Sequence, residues 1–245
     1  MGEILAVLSG KGGTGKTSIC AAVAEALADS GETVLCIDCD VGLRNLDLAL
    51  ALEHGGAISF QDVCSGGYSL SQALQHPDFP TLRFLTAPAG CSASQVDTAA
   101  FGSMLQQARQ YFRYILLDAP AGVEQGFRLA AFRADRIVLV TVSDPAAIRD
   151  AAETASILEG MGKSQIRLVV NRVGKRLYQK MNITIDDVMD AASLSLLGIV
   201  PEDANVTLAA AAHKPLLRHS RRGASAACRR IAARIQGKSV PITLA

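Results

Sequence analysis

The sequence lacks the features that would place it in several large classes of protein. It has no apolar run of about eighteen residues, which a membrane-spanning helix requires. Lysine and arginine number 24 against 23 acidic residues, so no excess of positive charge attracts nucleic acid to the chain as a whole. Of the 245 residues, 49% are hydrophobic and only 19% are charged, which excludes a disordered chain and indicates a substantial core.

Targeting signals are also missing from the sequence. The first apolar run is short, has no basic flank and leads directly into glycines, so a signal peptide is not predicted. Ala6 stands where a myristoylation signal would need serine or threonine. We therefore expect a cytoplasmic protein, with any membrane contact limited to a peripheral one on the cytoplasmic face of the cell membrane.

Cysteine is present six times, but only Cys36 and Cys39 have a suggestive spacing, C-x-x-C. Such a pair is typical of a redox centre or of half of a shared metal site. Here it brackets the end of an apolar run, "TVLCIDCD", where cysteine behaves as a small hydrophobic residue. We favour this last interpretation.

Short apolar runs alternate with segments of helical periodicity, and several runs have the near-continuous aliphatic character of strands covered on both faces. The predicted strands are Ile4–Leu8, Thr33–Ile37, Leu82–Thr86, Tyr114–Leu117, Arg136–Val142, Arg167–Asn171 and Leu196–Ile199. The predicted helices are Lys16–Ala28, Gln95–Tyr111, Ala146–Glu159, Ala204–Ala212 and Ser220–Ile235. This alternation predicts an α/β fold, a mostly parallel twisted sheet with helices on both faces. We expect one domain over residues 1–245, with a core at 1–236 and a short tail at 237–245.

A glycine-rich segment, "GKGGTGKT", follows the first strand and opens the first helix, and it fits the phosphate-loop pattern G-x-x-x-x-G-K-[ST]. Glycines let the backbone N–H groups point at phosphate oxygens, and the helix adds the positive end of its dipole. Lys16 is expected to reach the β- and γ-phosphates, Thr17 to ligate Mg²⁺, and Ser18 to contact the α-phosphate. The candidate phosphate-binding residues are Gly10, Lys11, Gly12, Gly13, Thr14, Gly15, Lys16, Thr17 and Ser18.

Lys11 is not required by the general phosphate-loop pattern. A second cation beside Lys16 costs repulsion unless phosphates are near, so it is either a solvated surface lysine or a group that reaches phosphates bound by another copy of the chain. The segment K-G-G-T-G-K-T resembles the deviant Walker A motif of the MinD/ParA family of ATPases. The resemblance implies ATP and Mg²⁺ as cofactors and a homodimer with ATP at its interface, in which Lys11 acts on the partner's nucleotide.

Two carboxylates end the second strand, where open α/β sheets bind their ligands. Asp38 and Asp40 there can hold Mg²⁺ through water or orient an attacking water. The surrounding string "DCDVGLRNLDL" (residues 38–48) is similar to the first switch of the MinD branch of the family. The resemblance implies that Asp40 activates water, with lesser roles for Asp38 and Asn45.

A third aspartate, Asp118, ends the apolar run "YILLD" and is expected to act as a Walker B metal-binding residue. It is followed by a Pro-Gly turn that can move when the γ-phosphate is lost. The string "DAPAGVE" (residues 118–124) is also similar to the MinD branch, and Gly122 is the expected γ-phosphate sensor.

Asn171 lies at a predicted strand end, where its side-chain amide could pair with adenine or could simply form a turn. The resemblance implies an adenine pocket made by Asn171 with Pro201, Glu202 and Asp203. It also implies that regulatory proteins bind the exposed side of the helix that carries Arg149, Asp150 and Glu153.

The carboxyl-terminal segment departs from the MinD branch, whose chains end in an amphipathic membrane helix. Its apolar stripe consists of Ala224, Ala227, Cys228, Ile231 and Ile235, and it lacks the bulky residues that insert into a membrane. We expect this helix to dock on the globule, which leaves direct membrane binding without support from these residues.

The sequence therefore predicts a MinD-like ATPase that dimerises on Mg-ATP, hydrolyses it slowly under the stimulus of an activator, and positions the division site together with a division inhibitor. The alternative is a ParA-type protein that partitions DNA, although nucleic acid is not the expected partner. A flagellar-number regulator fits less well, because it normally carries an extra helix before the first strand. An iron–sulfur carrier ATPase fits less well, because its C-x-x-C lies late in the chain.

Overall fold

The computed structural model describes residues 1–52, 56–174 and 184–243, and in these residues one sheet organises the fold. Its strands are β1 (Glu3–Leu8), β2 (Val34–Asp38), β3 (Leu74–Gln75), β4 (Leu82–Leu85), β5 (Tyr114–Asp118), β6 (Arg136–Val142), β7 (Ile166–Val173) and β8 (Leu196–Pro201). They lie in the order β3-β4-β2-β5-β1-β6-β7-β8. All neighbours are parallel except β3, which pairs antiparallel with β4 at the edge.

The helices cover both faces of this sheet, as predicted. They are α1 (Lys16–Asp29), α2 (Leu46–Ala49), α3 (Phe60–Cys64), α4 (Thr98–Ala108), α5 (Gln125–Arg133), α6 (Pro145–Gly160), α7 (Ile185–Ala192), α8 (Ala204–Ala211), α9 (Leu216–His219) and α10 (Ala224–Ile235). The side chains of α1 and α10 pack in one apolar cluster, and those of α4, α5 and α6 pack in a second. Burial of these two faces is the main source of stability.

All seven predicted strands are present, with ends within two residues of the prediction. The helix predicted from Gln95 begins at Thr98, because the Asp97 carboxylate accepts hydrogen bonds from the Ala99 and Ala100 N–H groups and caps it there. The helix predicted from Ser220 begins at Ala224, after Gly223 adopts a φ of 58°. Among the described residues, the prediction missed β3 and five α-helices, of which α5 and α7 are the longest.

The strand order brings the ends of β1, β2 and β5 together at one edge of the sheet. Because β5 lies between β1 and β2, Asp118 at its end pairs in register with both Val7 and Asp38. The glycine-rich segment follows β1 and therefore starts directly beside Asp118. Strands β6 and β7 bring Asp144 and Asn171 to the same edge from the other side.

Helix α10 docks on the globule, as the sequence predicts. The five residues of its apolar stripe are all buried, at 4% exposure or less, and they pack in the cluster that contains α1. The stripe is consequently not a free surface. No helix among the described residues is long and apolar enough to cross a membrane.

Candidate nucleotide site

The phosphate loop runs from Ser9 to Gly15, between the end of β1 and the start of α1. Gly13 and Gly15 have φ angles of 80° and 85°, in the left-handed region that glycine adopts without strain. Gly15 is also the N-cap of α1 and offers no side-chain hydrogen bond to it. The first N–H groups of α1 are therefore available to an anion, and the helix dipole favours negative charge there.

Lys16, Thr17 and Asp118 form one cluster at the base of this loop. The Lys16 Nζ donates a hydrogen bond to Asp118 Oδ1 at 2.7 Å, and both residues are buried. The same Nζ lies 3.3 Å from Thr17 Oγ1. Burial raises the pKa of Asp118, and the charge of Lys16 opposes this rise. The structure thus brings the predicted phosphate-binding lysine together with two predicted Mg²⁺-binding groups.

Asp38 lies beside Asp118 on the next strand and is also buried. Its Oδ1 accepts a hydrogen bond from Asp40 N at 2.8 Å, and its Oδ2 accepts one from Leu46 N at 3.2 Å. Burial, followed by the charge of Asp118, raises the pKa of Asp38 to about 7. Asp38 therefore holds both ends of the segment that connects β2 to α2, here called the first switch loop (residues 40–45).

Asp40 is half-buried and forms a turn within this loop. Its Oδ1 accepts hydrogen bonds from the N–H groups of Gly42 and Leu43, both at 3.1 Å. Leu43 is 73% exposed, and Asn45 is exposed as well. An exposed aliphatic side chain on a loop with few packing contacts is typical of a segment that moves or binds a partner.

The segment after β5, residues 119–124, is here called the second switch loop. Gly122 lies in it with a φ of 89°, and its N–H donates to Ser9 O at 3.1 Å. This bond connects the second switch loop directly to the start of the phosphate loop. A change in the position of the bound phosphates therefore has a short route to α5, which begins at Gln125.

Lys11 lies at the outer side of the phosphate loop, and its side chain is 46% exposed. Its Nζ is 3.8 Å from Asp144 Oδ1, the carboxylate that also caps α6 by accepting from Ala147 N at 3.0 Å. An exposed ion pair of this kind contributes at most about 1 kcal/mol. Asp144 was not predicted from the sequence as a partner of Lys11, although its Asp-Pro step marks a helix start.

The predicted base-binding residues also meet at one place. Asn171, Pro201, Glu202 and Asp203 line a cavity of about 60 Å³ together with Gly15 and Ser18. Asp203 is already engaged there, because its carboxylate accepts hydrogen bonds from Asn205 N and Ala224 N and so caps α8 and α10. Burial raises the pKa of Asp203, but the hydrogen bonds to its carboxylate lower the pKa by more, so the net shift is downward.

Cys36 and Cys39 do not face each other. Cys36 packs in the cluster of α1, with its Sγ 3.8 Å from Cys20 Sγ, whereas Cys39 packs in the opposite cluster. Residues three apart in an extended chain point to opposite faces, which explains the separation. Both thiols are fully buried, so the interpretation of the pair as small hydrophobic residues is confirmed.

The loop between a parallel strand and a helix, its lysine, and an aspartate at the end of the neighbouring strand define a P-loop nucleotide-binding protein. The model of the "CobQ/CobB/MinD/ParA nucleotide binding domain" family matches residues 5–216, and the chain belongs to this family. Family membership makes it a nucleotide-binding ATPase that uses Mg²⁺. The Thr17 hydroxyl and the Asp38 and Asp118 carboxylates are oxygen donors of the kind that this hard cation prefers.

The similarity to known proteins extends over nearly the whole chain. The septum site-determining protein MinD of Bacillus subtilis is 38% identical over 99% of this chain and 92% of its own length. The MinC:MinD cell division protein complex of Aquifex aeolicus contains a chain with a TM-score of 0.90 and 30% identity, over 98% of both chains. MinD from Pyrococcus horikoshii, solved with Mg-ADP, has a TM-score of 0.84 and 25% identity over 96% of both chains.

Proposed function

We propose that this protein is an ATP-driven switch of the MinD type that positions the site of cell division. The observation that carries the proposal is the combination of a complete phosphate-loop cluster with full-length similarity to septum site-determining relatives. The reaction is the hydrolysis of ATP by water to ADP and phosphate. Hydrolysis makes the ATP-bound form transient, which is what a positioning switch requires.

In this proposal the loop from Gly10 to Ser18 holds the phosphates, with Lys16 on the β- and γ-phosphates. Thr17, Asp38 and Asp118 hold Mg²⁺, which supplies charge neutralisation on the phosphates. Asp40 orients the attacking water from the first switch loop. Gly122 in the second switch loop senses the γ-phosphate through the phosphate loop, to which its N–H is bonded at Ser9 O.

Base recognition is proposed for the cavity at the ends of β7 and β8. The side-chain amide of Asn171 and the backbone around Pro201 and Glu202 contact the adenine, and Asp203 keeps this backbone in place through its two helix caps. An amide can both donate to and accept from the edge of adenine. This arrangement favours ATP as the nucleotide.

Lys11 is proposed to act in a homodimer on the nucleotide of the partner subunit. The support is its exposure at the outer side of the loop and its weak pairing, at 3.8 Å, with Asp144 of the same chain. A lone subunit then hydrolyses ATP slowly, because Lys11 is engaged with Asp144 and Asp40 with its own turn. Dimerisation and an activator protein bring Lys11 to the partner's nucleotide and Asp40 to the attacking water.

The regulatory partners are proposed to bind on the exposed side of α6. Arg149 and Glu153 are exposed there and Asp150 is half-buried, one turn or two beyond the Asp144 that contacts Lys11. A division inhibitor and an activator of hydrolysis are the expected partners. The protein works in the cytoplasm, and any peripheral membrane contact uses a part of the chain other than the stripe of α10, which is buried.

The test is a comparison of Lys11→Ala with Asp40→Ala. Lys11→Ala should bind ATP within about threefold of the natural chain, fail to dimerise, and lose about 10³-fold in stimulated turnover. Asp40→Ala should lose turnover but retain the ATP-dependent dimer. Light scattering measures the dimer and phosphate release measures the turnover. Normal turnover by Lys11→Ala would contradict the role proposed for this lysine.

A further inference from the structure

Asn171 connects the base cavity to the phosphate loop through one hydrogen bond. Its Nδ2 donates to Thr14 O at 2.8 Å, across 157 residues of sequence, and the residue is only 6% exposed. The same residue lines the cavity proposed for the base. One side chain therefore touches both halves of the proposed ATP site.

The tip of the phosphate loop has few other side-chain supports among the described residues. The Thr14 hydroxyl is buried there without a hydrogen-bond partner, and apart from the adjacent residues no described atom lies within 4 Å of where a Cβ of Gly12 or Gly13 would be. At Gly15 the situation differs, because a Cβ there would overlap the amide nitrogen of Asn171. The Asn171 amide thus lies directly against the loop backbone at residues 14 and 15.

The strand that carries Asn171 is distorted at this point. The pairing of β7 with β8 shifts in register between Val170 and Val173. Arg172, inside the shift, has a φ of 54°, in the left-handed region that is uncommon for a residue other than glycine. Irregularities of this kind are retained where they aim a neighbouring side chain at a functional position.

We propose that Asn171 is a positioning residue that braces the phosphate loop, so that base binding and phosphate binding are coupled through its amide. The inference rests on the ATP binding proposed above and adds a role toward the phosphates. One of the two Nδ2 hydrogens is used on Thr14 O, so the amide oxygen and the second Nδ2 hydrogen remain for the base. A donor and an acceptor side by side match N7 and the 6-amino group of adenine, whereas guanine carries acceptors at both places.

The coupling has a direct consequence for ligands that have no base. If Asn171 only contacted the base, its removal would weaken ATP and leave a bare triphosphate unaffected. If it braces the loop, its removal also weakens the triphosphate, because the N–H groups that bind phosphate lose their fixed geometry. Inorganic tripolyphosphate with Mg²⁺ separates the two roles.

The experiment measures by calorimetry the affinities of ATP and tripolyphosphate, each with Mg²⁺, for the natural chain and three variants. Asn171→Ala removes the amide, and Asn171→Leu nearly keeps its shape and adds no charge but cannot donate to Thr14 O. Both should weaken tripolyphosphate by about tenfold, as expected for loss of one buried hydrogen bond, and ATP by at least as much. Val206→Ala, a cavity-lining change away from the loop, should weaken ATP alone.

Unchanged tripolyphosphate affinity in both Asn171 variants, with weakened ATP, would overturn the brace and leave only a base contact. A natural chain that bound neither ligand would instead contradict the proposed function. Hydrogen exchange of the Gly13–Lys16 amides in the protein without nucleotide gives a second readout. Both Asn171 variants should raise these exchange rates about tenfold, whereas Val206→Ala should not, and equal rates in all variants would again overturn the proposal.

Discussion

The described part of the chain buries carboxylates in two regions, and it satisfies them differently. At the nucleotide edge of the sheet, Asp118 pairs with Lys16, and Asp38 accepts two backbone hydrogen bonds. In the middle of α1, Glu25 is fully buried, and its Oε2 accepts one hydrogen bond, from Leu217 N at 3.1 Å. Its Oε1 has no hydrogen-bond partner among the described residues.

This difference separates a functional from a structural use of a buried charge. The groups that satisfy Asp38 and Asp118 belong to the first switch loop and to the first residues of α1 and α2, so the cost of burial couples both loops to the sheet. Glu25 only attaches the short helix α9 to α1. Its burial raises its pKa to about 8, against the opposing effects of the Leu217 hydrogen bond and of Arg218 and Arg229. Changes in the first region should affect ATP, and changes in the second should affect stability alone.

The largest effect is expected from Lys16→Met, which removes the cationic partner of Asp118. ATP affinity should fall by at least about 100-fold, because a charge-assisted contact to the phosphates is lost. Near pH 8 the free energy of unfolding should fall by about 3 kcal/mol, because Asp118 is left buried without its partner. Calorimetry and urea unfolding measure the two quantities. The control is Lys11→Met at the exposed lysine, which should leave both nearly unchanged, and equal effects of the two variants would contradict the comparison.

The second prediction concerns Glu25→Gln and the pH dependence of stability. Because the pKa of Glu25 is about 8 in the folded chain and ordinary when unfolded, the folded state binds the proton more tightly. The natural chain should therefore lose stability as pH rises from about 5 to 8. The glutamine variant lacks this titration, so it should match the natural chain near pH 5 and exceed it by on the order of 3 kcal/mol at pH 9.

Urea unfolding from pH 5 to 9, with ATP turnover at each pH, measures this difference. Glu159→Gln, at an exposed glutamate, is the control and should follow the natural chain throughout. If Glu25→Gln changed turnover as strongly as it changes stability, Glu25 would belong with the site carboxylates.

The smallest effect is expected from Asp38→Asn. An amide can accept one of the two hydrogen bonds from Asp40 N and Leu46 N, but its NH₂ group faces the other donor. One end of the first switch loop should then be released, with about a tenfold loss of turnover. ATP affinity should fall by less than about threefold, because Thr17 and Asp118 still hold Mg²⁺ and the amide oxygen replaces one carboxylate oxygen. Single-turnover kinetics separates the two, and an affinity loss larger than the turnover loss would show that Asp38 acts mainly on the ligand.

The fold and the phosphate loop were predictable because each has a local signature. The aliphatic runs of the strands and the glycine pattern depend on residues near each other in sequence, and the strand ends were accordingly within two residues. Asp118 was predictable for the same reason, because it directly follows an apolar run and therefore lies where that strand ends, at the edge of the sheet. The buried stripe of α10 followed from its helical spacing.

The contacts that join distant segments were not predictable from these patterns. Nothing near Asn171 in sequence indicates that its amide meets Thr14 O, and nothing near Lys11 indicates Asp144. Helix α5 was missed because it is short and starts with a glycine at its second position, Gly126, which lowers helix propensity. Such features depend on the packing of the whole sheet.

The distribution of thiols has a practical consequence for watching this protein work. Four of the six cysteines are buried, and burial raises the pKa of the half-buried Cys64 to about 11, so it reacts slowly with maleimides at neutral pH. Cys91 is half-buried and lines the cavity beside Asp40 and Gly42. A fluorophore attached there would report, in the natural sequence and in real time, each rearrangement of the first switch loop.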